Sequence, residues 1–335
     1  MAGRIPDTFI QDLLARTDLV ELIEARMPLK RSGSNYTARC PFHSEKTPSF
    51  SVSGTKQLYY CFGCGARGTA ISFLMDYDRL SFPEAIEALA EIHGLEIPRE
   101  SGEGASKVSA DHVRSLYDAL ERASKYYQQQ LRSHPDASVA IDYLRGRGVT
   151  GEVAQRFQLG FAPASLRNLS MSDSLEVQKS AGLVHEKTPG RIMDWFRERI
   201  MFPIRDRRGR TIGFGGRVMG DGQPKYLNSP ETEVFHKHRE VYGLYELLEA
   251  VKKPEAILVV EGYMDVIALS QYGVQNAVAA LGTATSPDHI SLLFRYCPVI
   301  VFCFDGDAAG RRAAWKALES SLAHLREGRQ VRFLM

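Results

Sequence analysis

The chain has 335 residues, 44% of them hydrophobic and 24% charged, a balance that suits packed domains and excludes disordered, collagenous and coiled-coil classes. At roughly 100–200 residues per domain there is room for two or three, and a formal charge of +2 is too near zero to imply nucleic acid or membrane by itself. The longest strongly apolar run, CPVIVFCF from Cys297 to Phe304, is far short of the ~18 residues of a membrane helix. Charges interrupt the N-terminal MAGRIPDTFIQDLLARTD, unlike an export signal. Five cysteines are too few for a disulfide scaffold, and in a reducing compartment clustered thiols more often bind metal. The expected location is cytoplasmic.

Charge separates along the first hundred residues. Residues 28–67 carry six basic side chains against Glu45, whereas residues 71–100 carry seven acids against two arginines. In the acidic stretch Ile71, Phe73, Leu74, Ile86, Leu89 and Ile92 recur at largely helical spacing, so a small basic unit backed by amphipathic helices is expected. Apolar periodicity then lapses in EIPRESGEGASKVSAD, residues 96–111, whose Gly, Ser and Pro mark a flexible connector. Helices are expected from Val113 to about Arg132, from Asp136 to Leu144 and from Gly151 to Phe157. ERIMFPI and TIGFGG flank the turn-like DRRG, the pattern of a hairpin. From residue 256 the short apolar runs AILVV, NAVAAL, PVIVFCF and VRFLM alternate with helical stretches, as parallel strands do with their covering helices.

Cys40, His43, Cys61 and Cys64 form a C-x2-H, x17, C-x2-C arrangement. Two such knuckles supply the four tetrahedral ligands of a closed, structural zinc site, and Gly63 and Gly65 suit its tight turns. Cys297 and Cys303 read as core residues. Between the knuckles, TPSFSVS and KQLYYCFG read as strands, with Phe50, Tyr59, Tyr60 and Phe62 among Lys46, Lys56 and Arg67. These aromatics either stack on single-stranded nucleic acid or form the core of a unit with little else to bury.

Glu261 directly follows AILVV, and Asp305 and Asp307 follow PVIVFCF. Ligands bind beyond the carboxyl ends of parallel strands, so these acids are expected at one rim, where hard oxygens suit Mg²⁺. Asp265 joins them or sits in the first turn of the following helix, and Asp307 has a helix-capping alternative. The segment 197–217 holds seven arginines against two acids, and Gly213, Gly215 and Gly216 before Arg217 read as room for a phosphate to approach the backbone. Lys225 and Lys237 add further phosphate partners. His236 and His238 flank Lys237 without residues nearby to complete a metal site.

In this order, CPFHSEKTPSFSV with YYCFGCGARG, RIMFPIRDRRGRTIGFGGR, KYLNSPET, VVEGYMDVIAL and FDGDAAGRRAA resemble the bacterial replicative primases of the DnaG type along essentially the whole chain. The resemblance implies a multidomain fold. A zinc ribbon with helices at 1–100 would recognise template, followed by a linker at 101–112. The basic N-terminal part of an RNA polymerase core would occupy 113–243, and a Toprim domain of Rossmann-like parallel α/β type 244–335. It implies synthesis of short RNA primers on single-stranded DNA from nucleoside triphosphates at the replication fork, with one structural Zn²⁺ and catalytic Mg²⁺ or Mn²⁺. Glu261, Asp265, Asp305 and Asp307 fall on the catalytic acids, and Arg147, Arg217, Lys225, Asn228 and Lys237 on the template and nucleotide cleft. Partners implied are the replicative helicase, through a C-terminal domain expected beyond this chain, and single-stranded DNA-binding protein. The Toprim domain is expected to continue past VRFLM, and the family tends to have a small residue at His238. The alternatives are a non-catalytic zinc-ribbon and Toprim DNA-binding protein of the recombination-mediator kind, or a topoisomerase, which needs a tyrosine nucleophile on a separate domain.

Overall fold

The computed structural model describes residues 5–97, 110–165, 167, 169, 173–188, 190–220, 222–282, 284–325 and 328–334. Most of the expected connector, residues 98–109, therefore lies outside the described residues. The chain gathers into two compact units, Met1–Lys107 and Val108–Met335. No described helix is long and apolar enough to cross a membrane.

The first unit opens with helices α1 (Asp7–Arg16) and α2 (Leu19–Glu24). Asp18 stops α2 from fraying by accepting the Val20 and Glu21 N–H groups, which the helix cannot satisfy internally. Strands β1 (Lys30–Ser32), β2 (Asn35–Ala38), β3 (Phe50–Ser53), β4 (Leu58–Cys61) and β5 (Arg67–Gly68) follow, each antiparallel to the next in chain order. The period of two sorts their side chains: Phe50, Val52, Tyr59 and Cys61 point inward, while Leu58 and Tyr60 stay exposed. Helices α3 (Ala70–Tyr77) and α4 (Phe82–Ile92) cover the inner face with Phe73, Leu74, Ile86 and Leu89. A reciprocal Ser81–Glu84 capping box starts α4.

The second unit begins with α5 (Ala110–Ser133), α6 (Ala137–Gly146), α7 (Gly151–Arg156), β6 (Gly160–Ala162) and α8 (Leu175–Ser180). A small hairpin, β7 (Val184–Thr188) with β8 (Arg191–Asp194), precedes β9 (Arg199–Arg205), β10 (Thr211–Val218) and β11 (Tyr226–Asn228). The sheet order is β11-β10-β9-β6, antiparallel throughout. The expected hairpin is thus β9 and β10. Its DRRG turn is held by the Asp206 carboxylate, which accepts the Arg208 and Arg210 N–H groups, while Gly209 takes the left-handed backbone conformation at φ +85°.

After α9 (Leu244–Ala250) come β12 (Ala256–Val260), α10 (Tyr263–Gln271), β13 (Ala277–Ala279), α11 (Pro287–Leu293), β14 (Val299–Cys303), α12 (Ala308–Leu322) and β15 (Gln330–Leu334). The four strands are parallel in the order β13-β12-β14-β15. The chain leaves β12 toward one neighbour and returns to the other, so a crevice opens between the carboxyl ends of β12 and β14.

Rings fasten the β9–β10 sheet to α10, which follows β12. Tyr263 of α10 stacks on Phe202 of β9, with centroids 5.3 Å apart, and meets Tyr242 edge-on at 4.8 Å. The glycines of β10 also make room for rings. A Cβ at Gly213 would meet Phe235 at 3.2 Å, at Gly215 the Tyr263 ring at 2.6 Å, and at Gly216 Phe196 at 2.8 Å. Gly215→Ala is expected to destabilise the second unit by about 1–3 kcal/mol, the usual cost of overpacking, read as a lower denaturant midpoint; an unchanged midpoint would mean that the ring moves freely.

Candidate functional site

The ligand atoms of Cys40, His43, Cys61 and Cys64 all lie within 4.8 Å of one another. Cys40 Sγ and Cys64 Sγ are 3.8 Å apart, as are Cys61 Sγ and His43 Nδ1. A tetrahedron with Zn–S bonds of about 2.3 Å has edges of about 3.8 Å, so the donor set fits zinc in both chemistry and spacing. Burial pushes the Cys40 thiol well above its ordinary range, a situation that a coordinated cation reverses.

Glu45 completes this site, although in the sequence it read only as the lone acid of a basic stretch. Its carboxylate lies 3.3 Å from His43 Nε2, leaving Nδ1 to face the sulfurs. It also accepts hydrogen bonds from the Cys40 N–H and the Ser49 N–H and hydroxyl. Against its desolvation, these bonds and His43 hold the Glu45 carboxyl below its usual range. The readable signal was an acid two residues beyond the histidine of CPFH, a carboxylate–histidine arrangement common behind metal ligands. Gly65 makes the turn at φ +75°, whereas Gly63 is required by proximity, since a Cβ there would meet His43 Nε2 at 2.7 Å.

The four knuckle-region aromatics divide. Phe50 and Tyr59 are buried and stack with centroids 5.2 Å apart, so they are core residues and not a platform. Tyr60 and Phe62 are 41% and 76% exposed and pack edge to face at 4.9 Å. Tyr60 lies opposite Arg67 on β5, so an aromatic and a cation do share the outer face.

In the second unit, a cleft of about 340 Å³ is lined by Glu261, Asp265, Cys303 and Asp305 among others. Glu261 Oε1 accepts the Asp305 N–H at 2.8 Å, which ties the ends of β12 and β14 together. Burial raises the Asp265 carboxyl pKa above its ordinary value, and Asp305 adds to this; the Gly262 N–H and Arg147 oppose it. Asp265 is thus both a first-turn residue of α10, accepting the Gly262 N–H at 2.9 Å, and part of the cleft. Asp307 takes its alternative reading: its carboxylate caps α12, accepting the Ala309 and Gly310 N–H groups at 2.8 and 2.7 Å. Among the described residues, three or more metal-type ligand atoms converge only at the Cys/His cluster. The acids line an open cleft and do not converge on one point.

Two residues depart from the sequence reading or were missed by it. Cys303 is half-buried at the cleft and not a full core residue, unlike the buried Cys297. A Cβ on Gly310 would collide with the backbone of Asp305, so this glycine lets the first turn of α12 sit directly on the segment that carries the acid.

The expected basic residues are deployed unevenly. Arg217 lies over the Tyr143 and Tyr226 rings at 4.7 and 5.1 Å and donates to Tyr226 Oη at 2.8 Å. Arg147 stands over the same Tyr143 ring at 5.5 Å. Lys225 is exposed and Lys237 half-buried. Asn228 is engaged at both ends of its amide, accepting from Tyr263 Oη at 2.6 Å and donating to Leu281 O at 2.8 Å. Much of the arginine-rich hairpin is structural. Arg199 is buried against the Gly216 and Pro224 carbonyls, and Arg205 forms a buried pair with Glu246 at 2.6 Å. His238 lies 3.7 Å from Asp288.

Three family models match the chain: the CHC2 zinc finger at 5–105, the N-terminal domain of the DNA primase catalytic core at 126–248, and the Toprim domain at 255–335. A DNA primase of Pseudomonas putida is 56% identical over 340 residues, covering all of this chain and 52% of that protein. The solved Aquifex aeolicus primase, zinc binding and RNA polymerase domains, matches with a TM-score of 0.60 at 37% identity, covering 97% of this chain and 78% of that one. The chain belongs to the DnaG-type DNA primase family. A structure of a DnaG primase catalytic domain bound to single-stranded DNA also matches, with a TM-score of 0.64 at 49% identity over 68% of this chain and 72% of that one. This primase chain spans about half the length of the curated relatives it matches. The Toprim assignment carries with it a divalent metal, and the CHC2 assignment a zinc.

Zinc should copurify at about one per chain, and Glu45→Ala should weaken its affinity roughly 10–100-fold, as loss of a carboxylate behind a metal-binding histidine does; competition with a chromogenic chelator measures this. Chelation should lower the thermal midpoint of the first unit alone, and a matching fall in the second unit would contradict a purely local zinc role. Gly310→Ala should displace Asp305 and destabilise the second unit by about 1–3 kcal/mol, the usual cost of overpacking, read as a lower denaturant midpoint.

Proposed function

We propose that this chain makes short RNA primers on single-stranded DNA from nucleoside triphosphates, as its family does for chromosomal replication. The observation that carries the reading is the meeting of Glu261 and Asp305 at the carboxyl ends of two adjacent parallel strands. Arg147 acts electrostatically on the same cleft. Acids that hold cations beside arginines that hold phosphates are what phosphoryl transfer asks of a protein.

In this reading Glu261, Asp265 and Asp305 hold divalent metal, with Asp307 positioning the start of α12 and adding charge. Mg²⁺ or Mn²⁺ bound there would neutralise charge at the α-phosphate and on the departing pyrophosphate. Glu261 Oε1 is engaged by the Asp305 N–H, so its other oxygen is the one to accept the 3′-hydroxyl proton. Arg217, Lys225 and Lys237 track phosphates of template and nucleotide, and Arg147 faces the acids. Asn228 serves by holding β11 to the loop at Leu281. The zinc at Cys40, His43, Cys61 and Cys64 is structural, because protein fills all four positions. It supports a face on which Tyr60 and Phe62 stack bases, a role in keeping with a relative whose structure is described as bound to single-stranded DNA. A replicative helicase and single-stranded DNA-binding protein are the further partners that the family likeness implies. The catalytic-core match at 126–248, lying between the zinc finger and the Toprim domain, disfavours a purely DNA-binding mediator.

The test is incorporation of radiolabelled ribonucleotide on a single-stranded DNA template with Mg²⁺. Glu261→Gln should lower it about 10²–10⁴-fold, the range for loss of a positioned proton acceptor, and Asp305→Asn should lower it while sparing DNA binding. Full incorporation by both variants would place the chemistry elsewhere.

A further inference from the structure

Two arginines share one tyrosine ring beside the acidic cleft. Tyr143 lies in α6, and Arg147 is the residue that ends this helix, so the two are one turn apart and their side chains meet. Arg217 reaches the same ring from β10, with its guanidinium 4.7 Å from the ring centroid against 5.5 Å for Arg147. Two cations brought to one ring repel each other, and what offsets the repulsion is the negative face of the π-system. Tyr226, paired with Arg217 across the strands, adds its own ring at 5.1 Å and accepts from Nη1 at 2.8 Å.

The arrangement also faces the acids. The charges of Arg147 and of the Tyr226 hydroxyl act on Asp265 or are acted on by it, yet among the described residues Arg147 forms no ion pair with Asp265 within 4.0 Å. An exposed arginine that closed onto Asp265 would cancel charge that a cation needs. The Tyr143 hydroxyl contributes nothing to this: it is buried without a hydrogen-bond partner among the described residues.

We propose that Tyr143 is a positioning residue, whose ring holds Arg147 and Arg217 side by side as a two-guanidinium clamp for the phosphates of one nucleic-acid strand and keeps Arg147 off the acids. The inference rests on the priming reading for the identity of the bound strand. Because Tyr143 also packs against the core, acceptance of Phe over Leu would suit either role, and the distinguishing signature is energetic coupling of the ring to the two arginines.

The experiment measures binding of the 335-residue chain to a fluorescent single-stranded DNA oligonucleotide across a salt series. Tyr143→Phe should match the parent. Tyr143→Leu should bind about 5–30-fold more weakly, the loss of two cation–π contacts of ordinary strength, with a shallower salt slope as phosphate contacts disappear. In an Arg147→Ala plus Arg217→Ala background, Tyr143→Leu should add almost nothing, because residues that act through one another couple in mutant cycles. Additive losses would overturn the proposal, as would a Leu variant that binds like the parent. Tyr143→Met, another ring-free side chain, stands in if the Leu variant does not fold, and failure of both to fold would assign the ring to the core and overturn the positioning role. A parent chain that does not bind single-stranded DNA at all would instead sink the priming reading.

Discussion

The parallel pairing of β12 with β14 is the constraint on which the acidic cleft depends. Val259 lies level with Phe302, so the two strands end together at Val260 and Cys303, and Glu261 and Asp305 emerge within one residue of the same height. Their contact is a carboxylate accepting a backbone N–H, which fixes one acid by the main chain of the other. Neither strand could supply this alone. The helical crossovers set the spacing, and α12 begins at Ala308, after Gly306 and the capping Asp307, with Gly310 allowing the helix to pack against the backbone of Asp305.

Positive charge in this unit follows a division of labour. Arg199 and Arg205 are buried and satisfied by carbonyls or by Glu246, so they hold strands in place and are unavailable to a ligand. Arg210 pairs with Asp206 and lies over the Tyr117 ring. Arg217 and Arg147 stand out because aromatic faces, and not carboxylates, hold them. An arginine held by a ring keeps its charge for an incoming anion, whereas one paired with an acid has already used it.

The first unit has both a metal centre and a substantial core. Phe50, Tyr59 and Phe73 pack under the sheet within 6.4 Å of one another, and Glu45 links the metal ligands to this body through Cys40, Ser49 and His43. The Cys/His site therefore fixes one end of the central strands of a sheet whose inner face is already packed, and Tyr60 and Phe62 remain on the exposed side.

The sequence by itself determined whatever depends on local spacing. The two knuckles, the hairpin across DRRG, the alternation of strand and helix after residue 256 and the acids at two strand ends are each set by a few adjacent residues. It also carried the family likeness, through motifs in a fixed order. Only the tertiary structure decided which members of each motif face where. Phe50 and Tyr59 went inward while Tyr60 and Phe62 stayed out, Asp307 became a helix cap, and the glycines of β10 made room for Phe235, Tyr263 and Phe196, residues outside their own strand. Gly310 and Tyr143 were invisible as site residues for the same reason, and Glu45 showed only in its spacing from His43. Their roles arise from what packs against them, and packing is a property of the folded surface that no run of neighbouring residues encodes.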